Sequence, residues 1–183
     1  MILTVIGIGL IGGSMAMELK QKEFCTKVIG VDSNINHQKI ALNKKIVDEI
    51  HSLEQAVQMS DIILISIPVD NTSKVLKEVL DLVDRQIVID VGSIKEKVTQ
   101  HVNSHPKRKN FVATHPIAGT EFSGPKAAHL GLFKGKINII CDKEESSKEA
   151  VEKISKLSHI LGMENIYMNA KDHDIHSAYV SHI

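Results

Sequence analysis

Apolar residues fall into two alternating patterns along this chain. Short runs rich in Ile and Val occupy 2–6, 27–32, 61–67, 86–90, 111–114, 136–141 and 165–168, with a weaker one at 48–51. The strongest of them are apolar at nearly every position, as in strands buried on both faces of a parallel sheet. Between the runs, apolar positions recur every three or four residues. That spacing predicts helices over 10–23, 35–45 with Asn34 as cap, 53–59, 94–103, 144–161 and from Ala170 onward. Another helix, capped by Asp70 or Asn71, carries the stripe Val75, Leu76, Val79, Leu80 and Val83. Strand and helix alternate, so the pattern predicts an α/β fold: a doubly wound, mostly parallel sheet with helices on both faces. One stretch breaks the pattern. Over 117–136, Gly119, Gly124, Pro125, Gly131 and Gly135 interrupt every element, and so long a loop is usually functional or mobile.

The first run leads into Gly7, Gly9 and Gly12, a G-x-G-x-x-G turn with a strand before it and a helix after. An acid, Asp32, closes the second strand twenty positions beyond Gly12. That context makes the motif a dinucleotide-binding signature. Gly7 permits the tight turn, Gly9 lets a pyrophosphate lie against the backbone, and Gly12 lets helix and strand pack closely. Leu10 and Ile11 open the helix, whose free N–H groups and dipole favour phosphate. Asp32, with Ser33 after it, would accept hydrogen bonds from an adenosine ribose. No arginine follows to receive a 2′-phosphate, so NAD is the expected cofactor rather than NADP.

Length and composition narrow the remaining classes. The chain has 183 residues, enough for one full domain and the start of a second. Its formal net charge is zero, which argues against nucleic acid or an anionic membrane as partner. Cys25 and Cys141 lack metal or redox spacing and read as reduced thiols. The first strand begins at Ile2, leaving no room for a signal peptide, and no apolar run approaches the ~20 residues of a membrane span. The expected location is the cytoplasm.

Ligands of open parallel sheets bind beyond the carboxyl ends of the strands. Ser66, Ile67 and Pro68 end the fourth strand, Ser93 follows the fifth and His115 follows the sixth. Ile67, Pro68 and Ser93 are candidate cofactor contacts. His115 is the candidate base, since imidazole can accept a hydroxyl proton near neutral pH as hydride leaves. Ser93 reads either as a contact to the substrate hydroxyl or His115, or as a turn or capping serine. Lys95 reads by default as solvated surface. Asp172, His173, Asp174 and His176 could suggest a metal, but a helix-start cap is the simpler reading, and no metal is expected.

Four segments carry a resemblance: Gly7–Ser14, Asp90–Lys95, His115–Pro125 (H-P-I-A-G-T-E-F-S-G-P) and His173–His182. Together they resemble the prephenate dehydrogenase family, which includes arogenate and cyclohexadienyl dehydrogenases. The resemblance implies a Rossmann-type domain and NAD-dependent oxidative decarboxylation of prephenate to 4-hydroxyphenylpyruvate, a step of tyrosine biosynthesis. It implies that His115 is the catalytic histidine, that Ser93 supports it and touches ligand, and that Glu121 is an acid near the site's mouth. It also implies a C-terminal helical domain that forms a homodimer and supplies cations for the substrate, with His182 at the start of its first helix.

Prephenate carries two carboxylates, whereas Arg85 and Arg108 both precede strands and fall on the edge opposite His115. The expected organisation is therefore a dinucleotide-binding domain over 1–169, then at 170–183 the first part of a truncated helical domain. Alternatives are arogenate as substrate, a β-hydroxyacid dehydrogenase, or an NAD-binding module whose histidine is idle.

Overall fold

The computed structural model describes residues 1–180. Strand β1 (Ile2–Ile6) leads into helix α1 (Leu10–Gln21), followed by β2 (Lys27–Val31), α2 (Ile35–Asn43), β3 (Glu49–Ile50), α3 (Leu53–Met59) and β4 (Ile62–Ile65). The chain continues through α4 (Val69–Leu82), β5 (Ile87–Asp90), α5 (Glu96–Val102), β6 (Phe111–Pro116), β7 (Ile137–Cys141), α6 (Lys148–Ile160), β8 (Glu164–Met168) and α7 (Ala170–Val180). The eight strands form one sheet in the order β3-β2-β1-β4-β5-β6-β7-β8. Every neighbouring pair is parallel except β6 and β7.

The uninterrupted apolar runs are explained by two cores, one on each face of the sheet. Leu3, Val5, Ile62, Leu64, Ile89 and Val112 point to the side of α1 and α6, where they meet Met15, Leu19, Ile154 and Leu157. Their neighbours Ile6, Ile63, Ile65, Val88, Phe111 and Ala113 point the other way, onto Leu76, Val79 and Leu80 of α4 and Val98 and Val102 of α5. A strand alternates its side chains between faces, so burial on both leaves no polar position. The exception in β1 is Thr4, whose Oγ1 donates to the Ala56 carbonyl at 3.2 Å and pairs with Ser60 Oγ at 2.6 Å.

Several element starts differ from the sequence pattern for identifiable reasons. Helix α4 begins directly after Pro68, so Asp70 and Asn71 lie inside its first turn and do not cap it. The Pro68 carbonyl instead accepts from Asn71 N and Thr72 Oγ1, and proline's fixed φ presets that entry. The long helix expected over 144–161 is divided. A 3-10 turn at Lys143–Glu145 precedes Ser147, whose Oγ accepts from Ala150 N at 3.2 Å and starts α6. Strand β6 runs on through His115 and Pro116 because antiparallel β7 pairs with both. The 117–136 segment has no helix or strand. Its second half is nonetheless anchored over α1: His129 N donates to Ser14 Oγ, Gly131 N donates to Glu18 Oε2, and Phe133 is fully buried.

Helix α7 packs on α5 and β7. His182 lies outside the described residues. Among the described residues no helix is long and apolar enough to cross a membrane. Replacing Ser147 with Ala should remove the α6 cap and lower unfolding free energy by about 1 kcal/mol, measured by urea denaturation.

Candidate active site

The site begins with the glycine turn. Gly7 has φ +89°, and a Cβ there would lie 2.3 Å from the Ser66 carbonyl oxygen. A Cβ at Gly12 would lie 2.5 Å from the Gly7 carbonyl oxygen. These two glycines let β1, α1 and the end of β4 meet backbone to backbone. Gly9 is different: a Cβ there would meet nothing within 4 Å, so packing within the fold does not require a bare Cα. Gly9 is the N-cap of α1, with no side-chain cap hydrogen bond and no acidic residue in the first turn. The leading N–H groups of the helix are thus without a side-chain acceptor.

Asp32 braces this turn. Its Oδ2 accepts from Ile8 N at 2.9 Å and its Oδ1 from Asn34 N at 2.8 Å. Both oxygens keep further acceptor capacity. His37 Nδ1 lies 3.4 Å from Oδ2.

A cleft of about 370 Å³ opens beyond the carboxyl ends of β1, β4, β5 and β6. Each strand end contributes to its wall: Gly9, Leu10 and Ile11 after β1; Ile67 and Pro68 after β4; Ser93 after β5; and His115 from β6. Phe122 and Ser123 of the long loop close the remaining side. Asp32 and Ser33 lie at the end of β2, on the far side of β1 from β4. Glu121 is exposed and lines a neighbouring hollow with Phe122 and Lys126, outside the cleft's lining.

Beneath the cleft is a buried ion pair. Lys95, expected at the surface, is fully buried, and its Nζ bonds Asp90 Oδ2 and the Thr114 carbonyl. Burial pushes the Asp90 carboxyl up, while Lys95 and the Gly92 N–H pull it down. Asp90 Oδ1 is buried with no partner among the described residues.

His115 does not bond Ser93. Its Nδ1 lies 2.8 Å from Nε2 of His173, whose own Nδ1 lies 2.7 Å from Asp174 Oδ1. Asp174 in turn caps α5, accepting from Lys95 N and Glu96 N at 2.8 and 2.9 Å. Burial first, then the neighbouring His173 and Lys95, lower the His115 pKa to about 4, opposed by Asp174. The ring is therefore neutral at physiological pH and keeps a lone pair, though as a weaker base than a solvated imidazole. Among the described residues no cluster of His, Cys, Asp and Glu is placed to hold a metal.

Arg108 is buried at the other edge of the sheet, bonding the Phe111 carbonyl. Arg85 lines a groove of about 810 Å³ at that same edge.

The family model for the nucleotide-binding domain of prephenate dehydrogenase matches residues 15–167. The chain belongs to the prephenate dehydrogenase family. It is 31% identical over 180 residues to the prephenate dehydrogenase of Bacillus subtilis (strain 168), covering 96% of this chain and 48% of that protein. The crystal structure of prephenate dehydrogenase from Aquifex aeolicus superposes with a TM-score of 0.91 at 30% identity, covering 98% of this chain and 66% of that one. The same enzyme in complex with hydroxyphenyl propionate and NAD+ gives 0.88 at 29% identity, covering 94% and 61%. Synechocystis arogenate dehydrogenase gives 0.89 at 26% identity, covering 100% and 64%. The chain spans about half the length of the curated relatives it matches.

In this member of the prephenate dehydrogenase family, Asp90, Lys95, His173 and Asp174 lie around His115 although the sequence pattern gives them no place in the site. The D-V-G-S-I-K and H-D segments held them, but nothing local marks a lysine or histidine as buried.

Because folding depresses the His115 pKa, the unfolded chain binds that proton more readily. The stability it contributes is complete above about pH 6.5 and is lost as pH falls toward 4. Urea midpoints at pH 7 and pH 4.5 should show the wild type losing more stability than His115→Asn, by on the order of 2 kcal/mol. Equal losses would contradict this.

Proposed function

We propose that this chain is the NAD-binding, base-carrying part of an enzyme that oxidatively decarboxylates prephenate to 4-hydroxyphenylpyruvate in tyrosine biosynthesis. The observation that carries the reading is one cleft lined by both the glycine turn and a neutral His115. Membership of the family and the NAD+ complex of the Aquifex aeolicus relative support the choice of chemistry.

Gly9 leaves room for the pyrophosphate, and the leading N–H groups of α1 receive its charge. Asp32 offers its remaining lone pairs to the ribose hydroxyls and disfavours a 2′-phosphate. Bound NAD would supply the hydride acceptor. His115 accepts the proton of the ring hydroxyl as the C–H bond breaks. Ser93, on the same wall, is a candidate second contact to that hydroxyl. Ile67, Pro68, Leu10 and Ile11 keep the pocket dry around the reacting ring. Loss of carbon dioxide makes the ring aromatic, so orientation and one proton acceptor suffice. Glu121 would act at the mouth, from the hollow beside Phe122.

Arogenate is the second reading, favoured by the likeness to Synechocystis arogenate dehydrogenase. No arginine lines the cleft, so the groups that read the carboxylates and choose between the two substrates would come from beyond these residues. We assign 170–183 to the beginning of that further, helical and dimer-forming part, and the whole protein to the cytoplasm.

The 183-residue chain should bind NAD at least tenfold more tightly than NADP in calorimetric titration. It should turn over prephenate at under a hundredth of the full-length rate. Gly9→Ala should leave the thermal midpoint almost unchanged and weaken NAD at least tenfold. In the full-length protein, His115→Asn should retain NAD binding and lower reduced-nicotinamide formation from prephenate by 10²-fold or more. Undiminished turnover would end the enzymatic reading of this histidine, and faster turnover of arogenate would replace the substrate.

A further inference from the structure

Three groups from two distant segments form a continuous chain behind the cleft. His173 is fully buried, and its ring meets that of His115 edge to face, with centroids 5.0 Å apart and planes at 69°. The direction of each hydrogen bond follows from what each atom can do. The Asp174 carboxylate already accepts two backbone N–H groups of α5 and offers His173 only lone pairs. The proton of the 2.7 Å contact therefore sits on His173 Nδ1. With His173 uncharged, its single N–H is the one on Nδ1, so Nε2 is an acceptor. Ser177 Oγ, 3.5 Å from that nitrogen, can serve it only as a second donor. The proton of the 2.8 Å contact between the rings must then belong to His115 Nδ1. His115 Nε2 is left as a lone pair, without a partner among the described residues, on a ring that lines the cleft.

We propose that His173 and Asp174 are positioning residues which fix His115 in its Nδ1–H tautomer, with Nε2 presented to the substrate hydroxyl. When Nε2 takes that proton, the His115 Nδ1–H bond to His173 strengthens and the Asp174 carboxylate lies one ring away from the new positive charge. No proton leaves Nδ1, and Asp174 remains a carboxylate. The same carboxylate fixes the start of α5, so tautomer and helix placement share one anchor. The assignment of tautomers stands on hydrogen-bond geometry around an uncharged His173; its role in turnover rests on the function proposed above.

Long-range ¹H–¹⁵N spectra of the labelled 183-residue chain at pH 7 read each tautomer directly, with His115 and His173 assigned by their Asn variants. The expected result is Nδ1 protonated and Nε2 bare in both rings. A protonated Nε2 on His115 would overturn the proposal, and this wild-type measurement needs no variant to fold beyond those used for assignment by difference. His173→Asn removes the acceptor and should release His115 to its Nε2–H form. His173→Gln, which can place an amide oxygen at the same point, should preserve Nδ1–H. An unchanged His115 signal in a folded His173→Asn protein would also overturn it. In the full-length enzyme, His173→Asn should lower kcat about a hundredfold, with NAD affinity retained and partial rescue by Gln. If the spectra agree but His115→Asn leaves turnover intact, the function assigned to the cleft fails and the tautomer assignment stands.

Discussion

The approach of three backbones at the glycine turn is the constraint on which this structure rests. The Ser66 carbonyl occupies the space where residue 7 would carry a side chain, and the Gly7 carbonyl occupies it for residue 12. β1, α1 and the end of β4 are thereby held at a separation that a single methyl group would prevent. This is also where the strand order turns: β2 and β3 extend to one side of β1, and β4, β5 and β6 to the other. A crevice at such a reversal is a consequence of winding the chain both ways from the centre. The loops after β4 and β5 and the end of β6 are brought to one wall by sheet order alone.

Beneath that wall, each polar group close to His115 is itself held by a second one. Lys95 is matched by Asp90, and the His173–Asp174 pair is tied to the start of α5. A buried ion pair is a poor source of net stability, because desolvation consumes most of the attraction. Its value here is directional. It fixes the carbonyl of Thr114, next to His115, and the first residue of α5 in one geometry. Both halves of the network therefore bear on the same imidazole.

What could be read from the sequence was set by whether the signal is local. The strand runs, the glycine turn, the Asn34 cap, the helix over 53–59 and the position of His115 all follow from periodicity, steric need or a short motif. Helix α4 starts two to three residues earlier than a cap at Asp70 or Asn71 implies, because the Pro68 entry competes with both. Lys95 is buried because Asp90 and the Thr114 carbonyl receive its ammonium while Asp174, 79 positions away, binds its backbone. Asp90 is only five positions from it, but no short window of sequence also contains Thr114 and Asp174. His173 was hidden for the same reason, 58 positions from the ring it contacts.

The reversed strand has a consequence of its own. β5 ends at Asp90, opposite Ala113, so the last residues of β6 overhang their parallel neighbour. Were the sheet parallel throughout, those residues would have to leave it as loop. β7, running the other way, pairs with His115 and Pro116 and keeps the overhang within the sheet. The imidazole is thus mounted on backbone hydrogen-bonded into the sheet, with only Pro116 between it and the glycine-rich segment.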